Sequence, residues 1–139
     1  MSYVIAIDGP GGAGKSTIAR LVAAKLGITY VDTGAMYRAA AVFLNRRGID
    51  KDDDKSIEKA VSDMNITFSN ERVLLNGEDV SKKIRENDVS KMASEYSANP
   101  AVRDKLTALQ RQMGKTVSLV MDGRDIGSNV FKDAKYKFY

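Results

Sequence analysis

The stretch Gly9-Pro10-Gly11-Gly12-Ala13-Gly14-Lys15-Ser16-Thr17 gathers glycines, one lysine and two hydroxyls into a run suited to holding phosphate. The spacing Gly9-x-x-x-x-Gly14-Lys15-Ser16 is that of a loop wrapped around the phosphates of a nucleoside triphosphate. Glycines let the main chain curl tightly with its N–H groups turned inward, and a helix starting behind them adds its positive end. Lys15 would neutralise the β- and γ-phosphates, and the Ser16 hydroxyl would reach Mg²⁺. This pattern specifies a nucleotide and magnesium but no acceptor.

Two further blocks carry residues of the right kind. Asp32-Thr33-Gly34 follows a short apolar run, and Asp122-Gly123-Arg124-Asp125 follows the run Val117–Met121. In an open parallel sheet ligands bind beyond the carboxyl ends of the strands, so both blocks would face the glycine-rich loop. An acid ending an apolar strand is the form of residue that supports Mg²⁺, directly or through water, which makes Asp122 the metal candidate. Asp32 fits a cap or turn residue equally well. Arg38 and Arg124 offer planar forks for phosphate, and a transferring phosphoryl group needs positive charge on its donor and acceptor sides.

Composition narrows the chemistry. The chain has 139 residues, without cysteine or histidine. Disulfide frameworks, thiolate and imidazole metal sites, and the Ser-His-Asp and Cys-His nucleophile arrangements are excluded. What remains runs on Lys, Arg, Asp and backbone N–H groups, as phosphoryl transfer does. The net charge of +4, from 22 basic and 18 acidic residues, is too mild to indicate a partner. No apolar run approaches the roughly 20 residues needed to span a bilayer, and no basic start with a long apolar segment opens the chain, so a cytoplasmic protein without membrane contact is expected.

The elements that must position these residues are legible in outline. Residues 3–8 read as a buried strand. From Lys15 a helix follows, with Ile18, Leu21, Val22 and Leu26 at helical spacing and Gly27 as its stop. A strand at 28–31 precedes a second helix from Thr33, with Met36, Ala40, Phe43 and Leu44 on one face and Gly48 beyond it. Such alternation predicts a parallel sheet covered by helices. The charged run 50–55 reads as a solvated turn before a short helix at 56–62. Ile66–Phe68 and Val73–Leu75 read as strands, and Asn76-Gly77 as a tight turn into a return strand ending near Val80. Antiparallel strands inside a parallel pattern suggest an insertion over 65–98. Asn99-Pro100 opens a helix with Val102, Leu106, Leu109 and Met113 on one stripe and Gly114 as its stop. Residues 117–121 return to an apolar strand. The run 135–139 begins another, and a strand of this kind as the last element predicts that the chain is part of a longer protein. A chain of this length suits one domain.

Taken together, Gly9–Thr17, Asp32-Thr33-Gly34-Ala35-Met36-Tyr37-Arg38 and Met121-Asp122-Gly123-Arg124-Asp125-Ile126-Gly127 resemble the bacterial cytidylate kinases, block for block and in order. The resemblance implies a P-loop NTPase-type α/β fold, spanning residues 1–139 and incomplete at its C-terminus, whose 65–98 insertion of antiparallel β plus helix forms a CMP-binding subdomain. It implies transfer of the ATP γ-phosphoryl group to CMP or dCMP, giving ADP and CDP or dCDP, with Mg²⁺, by a cytoplasmic monomer that binds no nucleic acid. Residue by residue, it puts Thr33 near the acceptor, Arg38 and Arg124 on the CMP phosphate, and Ser94, Arg103 and Asp125 on the cytosine edge. A carboxylate accepts from the exocyclic amino group, while Arg and Ser donate to the ring carbonyl and N3. Uracil would leave Asp125 without its donor. Because the family's chains run on past this point through a lid and further arginines, weak or no turnover is expected from residues 1–139 alone. Another small-molecule kinase shares the loop and sheet but would differ in the acceptor blocks. A nucleotide-dependent switch would carry Asn-Lys-x-Asp, which does not occur here. A nucleic-acid binder would show clustered basic and aromatic residues, which are also lacking.

Overall fold

The computed structural model describes residues 2–9, 14–69, 71–124, 126–131, 134 and 136–138. In chain order the elements are β1 (Val4–Asp8), α1 (Lys15–Leu26), β2 (Thr29–Asp32), α2 (Thr33–Arg46), α3 (Asp54–Ala60), β3 (Ile66–Ser69), β4 (Arg72–Leu75), β5 (Glu78–Asp79), α4 (Asn87–Ser97), α5 (Pro100–Thr116), β6 (Leu119–Gly123) and β7 (Tyr136–Phe138). Single 3₁₀ turns follow α3 and precede α4, and a π-helical turn spans Ile126–Val130. The chain divides into two compact units, one formed by the residues up to Thr33 together with Gln110 onward, the other by Gly34–Leu109.

The first unit holds a four-stranded sheet in the order β2-β6-β1-β7, and its strand pairs are all parallel. This is the helix-flanked parallel α/β sheet expected from the alternation of elements. One face carries Ile5, Ile7 and Val120, which pack with Ala19 and Ala23 of α1 and, at the margin, with Tyr3, Val22, Ile28 and Tyr30. The helical stripe expected on α1 is corrected here. Ile18 and Leu21 are 53% and 66% exposed, Leu26 is exposed too, and the buried contacts are made by Ala19 and Ala23. Small side chains let the helix lie close on the sheet, an advantage that a count of large apolar residues misses.

Gly114 is a second correction. The helix α5 runs through it to Thr116 instead of stopping there. A Cβ at Gly114 would lie 2.6 Å from Cε1 of Phe131 and 3.1 Å from Cγ2 of Val4, so the glycine serves a close approach of helix to strand. At the start of the same helix the expected cap holds: Asn99 Oδ1 accepts from the Ala101 N–H at 2.8 Å.

The second unit contains the antiparallel sheet β3-β4-β5. Its hairpin turns at Asn76 and Gly77, both at positive φ, as the tight-turn signal requires. Asn76 also accepts from the Asn65 N–H through Oδ1 at 2.7 Å. The charged run folds further than expected: Asp53 caps α3 by accepting from the Ser56 N–H at 3.2 Å, so the helix starts at Asp54. In α2, burial is nearly continuous from Ala39 to Leu44, wider than a single face. The helix α4 starts at Asn87, and the Tyr96 hydroxyl donates to the Ile49 carbonyl. Among the described residues no helix is long and apolar enough to cross a membrane.

Candidate active site

Three parallel strands end at one edge of the first unit's sheet. Their register sets Asp8 opposite Gly123 and Asp32 opposite Asp122, so β1, β2 and β6 finish level. This is the end at which ligands bind in such sheets. The glycine-rich loop leaves β1 here. Gly14 takes φ 76° and ψ 10°, a left-handed conformation that suits glycine, and α1 begins at the next residue. Lys15 and Ser16 are half-buried and Thr17 is exposed. A Cβ on Gly9 would meet Lys15 Cδ at 4.0 Å, so the lysine stem passes back along the start of the loop. Pro10, Gly11, Gly12 and Ala13 lie outside the described residues, as does Asp125.

The two acids belong to the strands and do not follow them, because β2 runs to Asp32 and β6 to Gly123. Residues directly opposite on parallel strands share a face, so the Asp32 and Asp122 carboxylates project from the α1 side of the sheet. Asp122 is 2% exposed. Burial raises its pKa, and the neighbouring Asp32 charge raises it further, while the hydrogen bond from Tyr30 and the charges of Lys15 and Arg20 oppose the shift. The Tyr30 hydroxyl donates to Asp122 Oδ2 at 2.9 Å. The Tyr30 pKa is likewise pushed up, by burial first and then by the Asp32 and Asp122 charges. The Arg20 guanidinium lies 5.5 Å from the centre of the Tyr30 ring.

Thr33 is buried and donates its hydroxyl proton to the Asp122 carbonyl at 2.8 Å. Gly123 makes room for this contact, since a Cβ there would stand 2.8 Å from Thr33 Oγ1. Sequence reading missed two residues of this region, Asp8 and Tyr30. Asp8 Oδ1 accepts from the Ile126 N–H and Oδ2 from the Gly127 N–H, each at 2.7 Å. The signals available were an acid closing an apolar strand and a phenol two residues before Asp32, on the same face.

The structure thus brings Lys15, Ser16, Asp32, Thr33, Asp122 and Arg124 into one unit, with the Arg124 side chain exposed. Arg38, Ser94 and Arg103 belong to the other unit. There Arg38 is half-buried on α2, and Ser94 and Arg103 are exposed on α4 and α5. The Ser94 hydroxyl donates to the Ser90 carbonyl at 3.2 Å within its own helix. Oxygen donors such as Ser16 and Asp122 suit magnesium, which keeps several waters and takes phosphate oxygens, so it needs no dedicated cage. Among the described residues no group of three or more acidic, histidine or cysteine ligands occurs.

The family model "Cytidylate kinase" matches residues 5–139. Similar curated proteins named cytidylate kinase come from Syntrophotalea carbinolica, 49% identical with 98% of this chain and 60% of that protein covered, and from Chlorobaculum tepidum, 48% identical with 98% and 59% covered. A further one from Fusobacterium nucleatum is 46% identical over 99% of this chain and 63% of its own length. The chain therefore spans about three fifths of the length of these relatives. On this agreement of fold, strand-end chemistry and sequence, the chain belongs to the cytidylate kinase family.

Proposed function

We propose that this chain carries the nucleotide-binding machinery of an ATP-dependent nucleoside monophosphate kinase acting on CMP or dCMP. The observation that carries the reading is the convergence at one sheet edge of the loop helix, opening at Gly14 and Lys15, with the Asp32 and Asp122 carboxylates. The loop from Gly9 to Thr17 holds the ATP phosphates on backbone N–H groups and on the positive end of α1. Lys15 neutralises the β- and γ-phosphates. When bound, magnesium would supply positive charge that offsets the negative charge of the phosphates. Ser16 offers it a hydroxyl, and Asp122, directly or through water, a carboxylate.

On the acceptor side, family likeness supports Thr33, Arg38 and Arg124 near the CMP phosphate, with Asp32 beside them. Arg38 and Arg124 would hold that phosphate in line for attack on the γ-phosphorus, and their charge would grow in value as negative charge spreads over the transferring oxygens. Ser94, Arg103 and Asp125 would read the cytosine edge, with residues 65–98 as the CMP-binding insertion. Rejection of UMP follows from Asp125, which uracil leaves without a donor. A cytoplasmic location and a monomeric state in a chain of the relatives' length belong to the same reading.

Thermal unfolding of the chain with CMP, UMP or neither tests the proposal, because a ligand that binds only the folded state raises the midpoint. A rise with CMP and none with UMP is expected. A midpoint indifferent to CMP, or raised equally by UMP, overturns the acceptor assignment.

A further inference from the structure

We propose that Asp8 is a positioning residue for the acceptor, acting through the backbone that carries Arg124. The inference rests on the reading of Arg124 given above. Asp8 is the last residue of β1 and directly precedes the glycine-rich loop. Its two carboxylate oxygens accept from two consecutive N–H groups, those of Ile126 and Gly127, at 2.7 Å each. Three residues before Ile126, the Gly123 carbonyl accepts from the Gly9 N–H at 3.1 Å. The segment 123–127 is therefore tied at both ends to Asp8-Gly9, with only positions 124 and 125 between the ties.

Two features separate this arrangement from an ordinary turn cap. A cap needs one oxygen and usually takes it from a residue nearby in sequence, whereas here both oxygens of an acid more than a hundred residues away are used. Hydrogen bonds to an ionised carboxylate are also roughly twice as strong as neutral ones. The Gly127 backbone comes close to make them: a Cβ on that residue would stand 3.3 Å from Asp8 Oδ2. The exposed Arg124 side chain has many rotamers, so the direction of its backbone is what the fold can fix. Asp8 fixes that direction, and by its place in the chain it joins the acceptor-side arginine to the base of the donor-phosphate loop.

Asp8→Asn keeps the shape and one acceptor oxygen but turns an NH₂ group toward the other N–H. Titration calorimetry of this chain with CMP and, separately, with ATP gives the two affinities, and a thermal scan gives the unfolding midpoint. Asp8→Asn is expected to weaken CMP binding about tenfold and to leave ATP binding within about twofold. In the Arg124→Ala background it should change CMP affinity no further. Unchanged CMP affinity overturns the proposal. So does a parallel loss of both affinities with a lowered midpoint, which marks a brace for the whole fold, and so does full additivity with Arg124→Ala. Should Asp8→Asn lack a cooperative transition, Asp8→Ser, which keeps one short acceptor, is read by the same criteria. Failure of the unsubstituted chain to bind CMP would remove the acceptor reading itself, and this inference with it.

Discussion

Tyr30 donates its hydroxyl proton to Oδ2 of Asp122, joining a side chain inside β2 to the buried carboxylate near the end of β6 at 2.9 Å. Fixing one carboxylate oxygen fixes the direction of the other, so the phenol aims the acid that we assign to magnesium. Tyr30→Phe should destabilise the chain by about 1.5–3 kcal/mol at neutral pH, the ordinary contribution of a hydrogen bond to a charged group. That bond favours the ionised form, so its contribution is present above the usual carboxylate range and lost as pH falls through the Asp122 pKa. Denaturant titrations of both proteins across that range check it. A loss of equal size at every pH would contradict it.

Asp122 itself behaves in the opposite sense. Its pKa is raised by burial and by Asp32, so the folded state binds the proton more tightly than the unfolded chain does. The ionised form therefore costs stability at neutral pH, and the cost fades as the group protonates. Without nucleotide or magnesium, Asp122→Asn should be more stable than the parent at neutral pH by about 1 kcal/mol, with the gain vanishing as pH falls through the carboxylate range. Paired thermal scans measure this.

Lys15→Ala removes the one side-chain cation of the glycine-rich loop. For the parent chain, ATP at a hundred times its dissociation constant should raise stability by about 2.7 kcal/mol. In the variant, the same ATP concentration should give less than about half that shift, while the unliganded midpoint stays nearly the same, since Lys15 is only half-buried. An undiminished shift would remove the lysine from phosphate binding.

Gly114→Ala sets helix propensity against packing. Alanine gains up to about 1 kcal/mol in a helix interior. The added Cβ would be 2.6 Å from the Phe131 ring and 3.1 Å from Val4, and such crowding costs about 1–3 kcal/mol. Net destabilisation is expected in urea unfolding, with partial recovery on adding Phe131→Leu. Recovery marks Phe131 as the obstacle.

Much of this fold is written in local pattern. The alternation of strand and helix, the Asn99 cap and the Asn76-Gly77 turn all follow from interactions over a few residues, and they stand where the sequence puts them. Elsewhere the deciding partner is distant. Nothing near Gly114 in sequence announces Phe131 or Val4, so the glycine reads as a stop. In α1 the large residues Ile18 and Leu21 dominate the apolar pattern, yet Ala19 and Ala23 take the sheet face, because closeness of approach outweighs side-chain size there. Asp8 and Tyr30 escape a motif search for the same reason. Their partners are a pair of backbone N–H groups and a carboxylate, brought within reach only by the register of the strands.

The strand order β2-β6-β1 carries a consequence for how the molecule is made. Among the described strands, the first two to leave the ribosome do not pair with each other, and each waits for β6, which arrives some ninety residues after β2. Until Leu119–Gly123 slides between them, the glycine-rich segment hangs from an unpaired ribbon, Thr33 has no carbonyl to bind and Asp8 has nothing to clasp. Pairings of such long sequence separation form slowly. The edge that gathers Asp8, Asp32 and Asp122 is thus completed only when β6 has been made, with β7 still to follow, and a ribosome stalled before residue 119 holds a chain in which that edge does not yet exist.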